Sequence, residues 1–161
     1  VSNSHDVQVR PLAADDDARL GEYWRPTVEG HRAGRWDLLT AWDGVELVGS
    51  GCLRWEGPFN AEMAAIRGRT PELAFLQIDE GYRGAGIGTR LVRLAEQLCL
   101  TRGLQCLGLA VGVDNHRAQA LYERLGYHDV GVKQVDRYVD VHGQRRTEVA
   151  RYLERLLAGP V

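Results

Sequence analysis

The chain has 161 residues, 44% of them apolar and 26% charged, with a formal net charge of −2 at pH 7. That is the make-up of one ordinary globular domain with enough apolar side chains for a substantial core. A near-neutral balance excludes a dedicated nucleic-acid binder, whose affinity rests on phosphate neutralisation, and no apolar run approaches the length of a membrane span.

Val7-Gln8-Val9-Arg10 reads as a first strand, stopped by Pro11. Asp15-Asp16-Asp17 caps and charges the start of a helix that runs through Leu20, Tyr23 and Trp24 and breaks near Pro26. Helix-start electrostatics explains these aspartates better than metal binding does. Leu38 to Trp42 and Val45 to Leu53 flank Asp43-Gly44, a strong hairpin signal. Residues 56–70, with Gly57-Pro58 and Arg67-Gly68-Arg69, read as an irregular loop or a short helix.

The run Leu73-Ala74-Phe75-Leu76-Gln77-Ile78 reads as a strand, and a glycine-rich turn from Gly81 to Thr89 follows it. Ile87, Leu91, Leu94, Ala95 and Leu98 then recur at helical spacing up to Gly103. In the strand expected from Leu104 to Val113, Leu107, Leu109, Val111 and Val113 line one face. Cys106, Gly108, Ala110 and Gly112 line the other, where a backbone, a helix or a ligand can approach closely. A second helix is expected from Asp114 or Asn115 to Leu125, closed by a left-handed Gly126, with strand-like sequence from Tyr127. Val149, Tyr152, Leu153, Leu156 and Leu157 fit a helix by their spacing.

No internal repeat or low-complexity linker divides the chain, so residues 1–161 are expected to form a single unit. Cys52, Cys99 and Cys106 are odd in number and lie in apolar patterns, which predicts buried free thiols. The five histidines lack zinc-ligand spacing, and no metal is expected. Val1-Ser2-Asn3-Ser4-His5-Asp6 is polar and unlike a signal segment, so a cytoplasmic protein is expected.

The glycine turn carries the chemistry. Glycines at 84, 86 and 88 leave backbone N–H groups uncovered at a helix start, where unsatisfied donors and the positive dipole end favour phosphate. A dinucleotide-binding turn needs G-x-G-x-x-G and an acidic residue ~20 positions on. Here the spacing is Gly84-x-Gly86-x-Gly88, and Gly103-Leu104 occupy the acidic slot. A nucleotide P-loop needs Gly-Lys followed by Ser or Thr, whereas Gly88-Thr89-Arg90 has no lysine.

Arg83, Gly86 and Gly88 fit the pattern Arg/Gln-x-x-Gly-x-Gly/Ala of the GNAT superfamily of N-acetyltransferases, which the chain resembles from Glu72 to Tyr127. The stretch Asp114-Asn115-His116-Arg117-Ala118-Gln119-Ala120-Leu121-Tyr122-Glu123-Arg124-Leu125-Gly126-Tyr127 resembles the family's second signature. The resemblance implies an α+β fold: a mixed, mostly antiparallel twisted sheet with helices on both faces. It also implies a central parallel pair joined by a helical crossover and splayed to admit pantetheine, and a strand, not a helix, over the last segment. Main-chain amides of Arg83, Gly84, Ala85, Gly86, Ile87, Gly88 and Thr89 would hold the pyrophosphate of acetyl-coenzyme A. Amides at a distorted point of Leu76-Gln77-Ile78 would polarise the thioester carbonyl.

Asn115, Ala118 and Tyr122 share one helix face. By resemblance Asn115 lies against the pantetheine arm and the Tyr122 hydroxyl protonates the departing thiolate. Taken without the glycine turn, Asn115 reads first as a helix cap and Tyr122 as a core aromatic; with the turn, Tyr122 reads first as functional and Asn115 reads either way. Relatives carry a general base either near Glu72 or five residues before the asparagine. The latter position is Ala110 here, which leaves Glu72, a water chain or a self-deprotonating substrate, and for Glu72 a strand-end surface carboxylate is the competing reading.

The expected reaction is direct transfer of acetyl to an amine, with a homodimer allowed by resemblance but required by no residue. A non-catalytic acyl-coenzyme A sensor and a transferase of longer acyl groups are the rivals. Around the acceptor cleft, Tyr23, Trp24, Arg25, Glu29, His31, Arg32, Trp36, Trp55, Glu56, Arg67 and Arg69 fit an acidic or planar acceptor, or else core and solvated surface.

Overall fold

The structure is a computed structural model that describes residues 6–140 and 142–157; the polar opening residues 1–5 lie outside it. Among the described residues, seven strands form one sheet in the order β1-β2-β3-β4-β5-β7-β6. β1 is Gln8–Pro11, β2 Trp36–Asp43, β3 Glu46–Arg54, β4 Glu72–Ile78, β5 Cys106–Gly112, β6 His128–Val139 and β7 Arg145–Leu156. Four α-helices accompany them: α1 Arg25–Arg32, α2 Ala61–Arg67, α3 Ile87–Thr101 and α4 His116–Arg124. All pairs are antiparallel except β4 with β5.

The aspartate run does not open a helix. Short 3-10 turns cover Asp16–Arg19 and Glu22–Trp24, and the α-helix begins only at Arg25, with Pro26 in its first turn. Proline lacks the N–H that the first turn leaves unsatisfied, so it starts this helix where the sequence reading had it break one. Asp16 is buried, takes the Arg10 guanidinium and accepts the Ala13 amide at 2.7 Å.

The Asp43-Gly44 hairpin is present, with Asp43 opposite Glu46. Within residues 56–70 the chain forms α2, whose start is capped by Asn60 accepting from the Met63 amide at 3.0 Å. The last segment is a strand. β7 lies between β5 and β6 and buries Ala150, Tyr152 and Leu153 on both faces, which removes the alternation that would have marked it.

Helices cover both faces of the sheet. On one, Ile87, Leu91, Val92, Ala95 and Cys99 of α3 and Tyr122 of α4 join Leu39, Leu53, Leu73, Leu107, Leu109, Val111 and Leu153. On the other, Val28 of α1 packs with Leu12, Leu38 and Cys52, flanked by Trp24, Trp36 and Phe59. Cys52 and Cys99 are buried as expected, but Cys106 is half-exposed, and all three are free.

β4 and β5 meet at one residue pair, Glu72 opposite Gly108, with the Gly108 amide donating to Pro71 O at 2.9 Å. Beyond that point the two strands run without further pairing, and a gap opens between their C-terminal halves. β4 is irregular here as well. Against β3, Ser50 faces Gln77 and Cys52 faces Ala74, so β4 carries one extra residue, and Phe75 takes φ 57°. The bulge therefore falls at Phe75-Leu76, at the leading edge of the predicted Leu76-Gln77-Ile78.

Candidate active site

The glycine turn leaves the end of β4 and doubles back into α3. The Arg83 Nε donates to Ile78 O at 3.0 Å and ties the turn to the strand. Gly84 and Gly86 adopt φ 79° and 82°, a left-handed backbone that L side chains rarely take, and Gly86 is the residue from which α3 starts. No side chain caps this helix. Among the described residues, the amides of Gly84 through Thr89 find no acceptor in the chain, and residues 84–86 face solvent. Ile87, 1% exposed, anchors the turn in the core.

Three elements converge on this turn. A Cβ on Gly88 would lie 3.9 Å from both Ile78 of β4 and Leu121 of α4, and one on Gly84 would lie 3.8 Å from the Arg117 guanidinium. Arg117 is a cation over the turn that the sequence reading did not single out. Asn115 caps α4 by accepting the Ala118 amide at 3.1 Å through its side-chain oxygen. The capping reading of Asn115 is thus realised, and the amide end of the side chain is not used by the cap.

Tyr122 follows two turns later, 7% exposed, at the edge of the core beneath α3. Its ring meets Tyr127 edge-on, with centroids 6.2 Å apart. Tyr127 is in turn fixed by Glu96, which accepts its hydroxyl at 3.0 Å and pairs with Arg93 and with Arg155 at 2.8 Å. Burial pushes the Tyr122 hydroxyl up to about 12, so it keeps its proton throughout the neutral range.

Glu72 lies on the opposite face of the sheet. It is 2% exposed, which removes the surface-carboxylate reading. Oε1 accepts the Phe59 amide at 3.3 Å, and Oε2 has no partner among the described residues. Burial outweighs that one hydrogen bond and lifts the carboxyl to about 7, with the charge of Asp136 adding to the rise.

On this second face, Phe75 and Gln77 of β4 border a cleft of about 270 Å³ with Ser50, Gly51 and Cys52 of β3, Leu38 of β2, and Tyr23, Trp24 and Thr27. Of the candidate acceptor residues, only Tyr23 and Trp24 line it. His31 accepts the Leu38 amide, Trp36 donates to Thr27 O, Arg32 pairs with Asp17, Arg67 with Glu154, and Arg25 with Glu22. Trp55 lies under the Arg102 guanidinium. Most of that aromatic and arginine mixture is structural.

The model of the Acetyltransferase (GNAT) family matches residues 5–127. The chain belongs to this family. Over 91 residues it is 36% identical to the mycothiol acetyltransferase of Corynebacterium efficiens, covering 56% of this chain and 27% of that protein. Over 80 residues it is 41% identical to the N-alpha-acetyltransferase RimI of Mycobacterium tuberculosis, covering 47% of this chain and 48% of that one. These matches span about a quarter to a half of the relatives' length. Among solved GNAT structures, Arabidopsis thaliana NAA60 in complex with a bisubstrate analogue superposes with a TM-score of 0.70 at 18% identity, over 96% of this chain and 99% of that chain. An Elizabethkingia anophelis GNAT family acetyltransferase with acetyl-CoA bound gives 0.63 at 16% identity, over 94% and 99%. The fold is that of the GNAT family.

Proposed function

We propose that this chain transfers an acetyl group from acetyl-coenzyme A directly to a primary amine. The observation that carries the reading is the run of unaccepted amides from Gly84 to Thr89, which begins at the solvent-facing residues 84–86 and follows a strand, β4, that pairs with β5 only at Glu72 and Gly108. Those donors, the positive end of α3 and the Arg117 cation suit a diphosphate. Acetyl-coenzyme A supplies an already activated thioester, so the protein's task is alignment, which contributes roughly 7–11 kcal/mol in well-oriented systems.

Each candidate residue then has a chemical task. The Phe75-Leu76 bulge interrupts the ladder with β3, which Gln77 and Ile78 rejoin opposite Ser50 and Gly49, and amides at this distorted point would be the donors that a thioester carbonyl oxygen needs. Asn115, at the start of α4, has a side-chain amide group that its cap does not use and that would lie against the pantetheine arm. The Tyr122 hydroxyl, raised to about 12, cannot hand over its proton early. Full transfer to a thiolate of pKa ~8.5 is uphill by about 5 kcal/mol, so the hydroxyl acts by donating a hydrogen bond to the sulfur as charge develops there.

An alkylammonium of pKa ~10.4 costs about 4.6 kcal/mol to deprotonate at pH 7. Glu72, at about 7, is poised as the base that takes that proton. It precedes Leu76 by four residues, roughly 13 Å along a strand, so a chain of waters, not one, would carry the proton between amine and carboxylate.

The test is free-thiol release from acetyl-coenzyme A across a panel of primary amines, alongside calorimetric titration of acetyl-coenzyme A itself. Binding with amine-dependent turnover supports the reading. Binding without turnover across the panel identifies a non-catalytic sensor. Absence of binding defeats the proposal.

A further inference from the structure

Leu107, Leu109 and Val111 of β5 and Leu153 of β7 enter the core beneath α3. Side chains of the opposite parity, on Gly108, Ala110 and Gly112 of β5 and on Glu148, Ala150 and Tyr152 of β7, therefore face the cleft side. Two of the β7 side chains reach diagonally across β5. Tyr152 covers Gly108, and the Glu148 Oε1 lies 2.5 Å from where a Cβ on Gly112 would stand.

The register makes the second contact informative. Glu72 is level with Gly108, so Gly112, four residues on, is level with Leu76 and Gln77 across the gap. The Glu148 carboxylate thus sits opposite the bulge amides, on the face that carries Phe75, Gln77 and the cleft. It is exposed, and among the described residues no cation pairs with it. Asp136, its register partner on β6, is already engaged by the Asn60 and Gln134 side-chain amides at 2.9 and 2.7 Å. An unpaired carboxylate beside a hydrogen-bonded one makes this edge of the gap negative, with the arginines of α1 and α2 tied up elsewhere.

We propose that Glu148 is the residue that receives the acceptor, holding its ammonium group over Gly112, so that the acceptor class is a cationic alkylamine and not an acidic or planar molecule. The inference rests on the coenzyme A reading above. Gly112 belongs to the device because any side chain there would push the carboxylate away. The displaced group is the end of a flexible side chain, so the fold itself tolerates the change.

Calorimetry with two near-isosteric probes tests this: S-(2-aminoethyl)-coenzyme A, which carries an ammonium through the gap, and S-propyl-coenzyme A, which carries a methyl group in its place. Wild-type protein is expected to prefer the ammonium probe by about tenfold, as a charge-assisted hydrogen bond gives. Glu148→Gln and Gly112→Ala should each bring the ratio to about one while leaving S-propyl-coenzyme A binding unchanged. Equal affinity of the wild type for the two probes, or a preference that survives in Glu148→Gln, overturns the assignment and leaves the coenzyme A reading standing. If neither probe binds, the coenzyme A reading fails and this inference falls with it.

Discussion

The Tyr152 hydroxyl fills the volume that any side chain on Gly108 would need, and it does so beside the single pair that joins β4 to β5. The ring is fully buried and its hydroxyl has no hydrogen-bond partner among the described residues, so it has nowhere to retreat. Gly108→Ala is therefore expected to destabilise the fold by about 1–3 kcal/mol, as overpacking does. Adding Tyr152→Phe should recover part of the loss, because the hydroxyl is the nearest clashing atom. Urea denaturation of the single and double variants measures both, and strict additivity would count against the contact.

Glu72 ties stability to pH. Its carboxyl is raised from 4.5 to about 7 by burial, so the folded state keeps the proton after the unfolded chain has lost it. The group's contribution is thus fully present below about pH 4.5 and declines until about pH 7, by an amount near 3 kcal/mol. Glu72→Gln removes that decline. Thermal unfolding should show the variant gaining on the wild type at pH 8 and little difference at pH 4. The same substitution should abolish the rise of kcat/KM with pH near 7; a rise that persists assigns the base elsewhere.

Asp16 acts in the reverse sense. Its hydrogen bond with Arg10 holds it at about 2, against 3.8 for a free aspartate. Its contribution is present above about pH 4 and lost as pH falls through 2, and is at most about 2 kcal/mol. Asp16→Asn should lower the melting temperature at pH 7, and the difference from the wild type should shrink as pH falls from 4 toward 2.

Tyr122→Phe deletes one oxygen from a ring that Tyr127 and Glu96 hold in place. Turnover with acetyl-coenzyme A should fall by about 10²-fold, the size of a lost acid or hydrogen-bond donor, with affinity for coenzyme A unchanged. Full turnover in the variant would give the departing sulfur to another donor.

Gly86 and Gly88 separate folding from binding. Gly86→Ala forces a Cβ into a left-handed conformation and should cost about 1–2 kcal/mol of stability. Gly88 is already helical, with nothing nearer than 3.9 Å to a Cβ, so Gly88→Ala should leave stability unchanged or improve it by up to about 1 kcal/mol. A loss of coenzyme A binding in Gly88→Ala would thus report close approach of the ligand to the turn. Retained affinity would mean that the diphosphate is held further out.

Much of this architecture is local and could be read directly. The Asp43-Gly44 hairpin, the α3 stripe from Ile87 to Leu98, the Asn115 cap and the Gly126 closure each depend on residues within a turn or two of one another. Misreadings arose where a residue's meaning depended on distant neighbours. Pro26 was a breaker by rule and a starter in fact, because the chain before it was held by 3-10 turns. The spacing from Val149 to Leu157 fitted a helix while the family resemblance put a strand there, and the strand is present; its alternation is hidden because β7 buries Ala150 and Tyr152 on one face and Leu153 on the other. Glu96 was an unremarkable charge inside a helix until Tyr127 and Arg155 were brought to it.

The order of residues alone determined the glycine turn, since backbone conformation at Gly84 and Gly86 and the start of α3 are properties of that segment. It also determined the side of α4 on which Asn115 and Tyr122 lie. The state of Glu72 and the identity of the group facing the gap were decided only in three dimensions. A carboxylate's affinity for its proton depends on what excludes water from it, and Phe59 lies 13 residues away in the chain. Glu148 looks like any strand charge until β7 pairs with β5 and lays it across Gly112, 36 positions earlier.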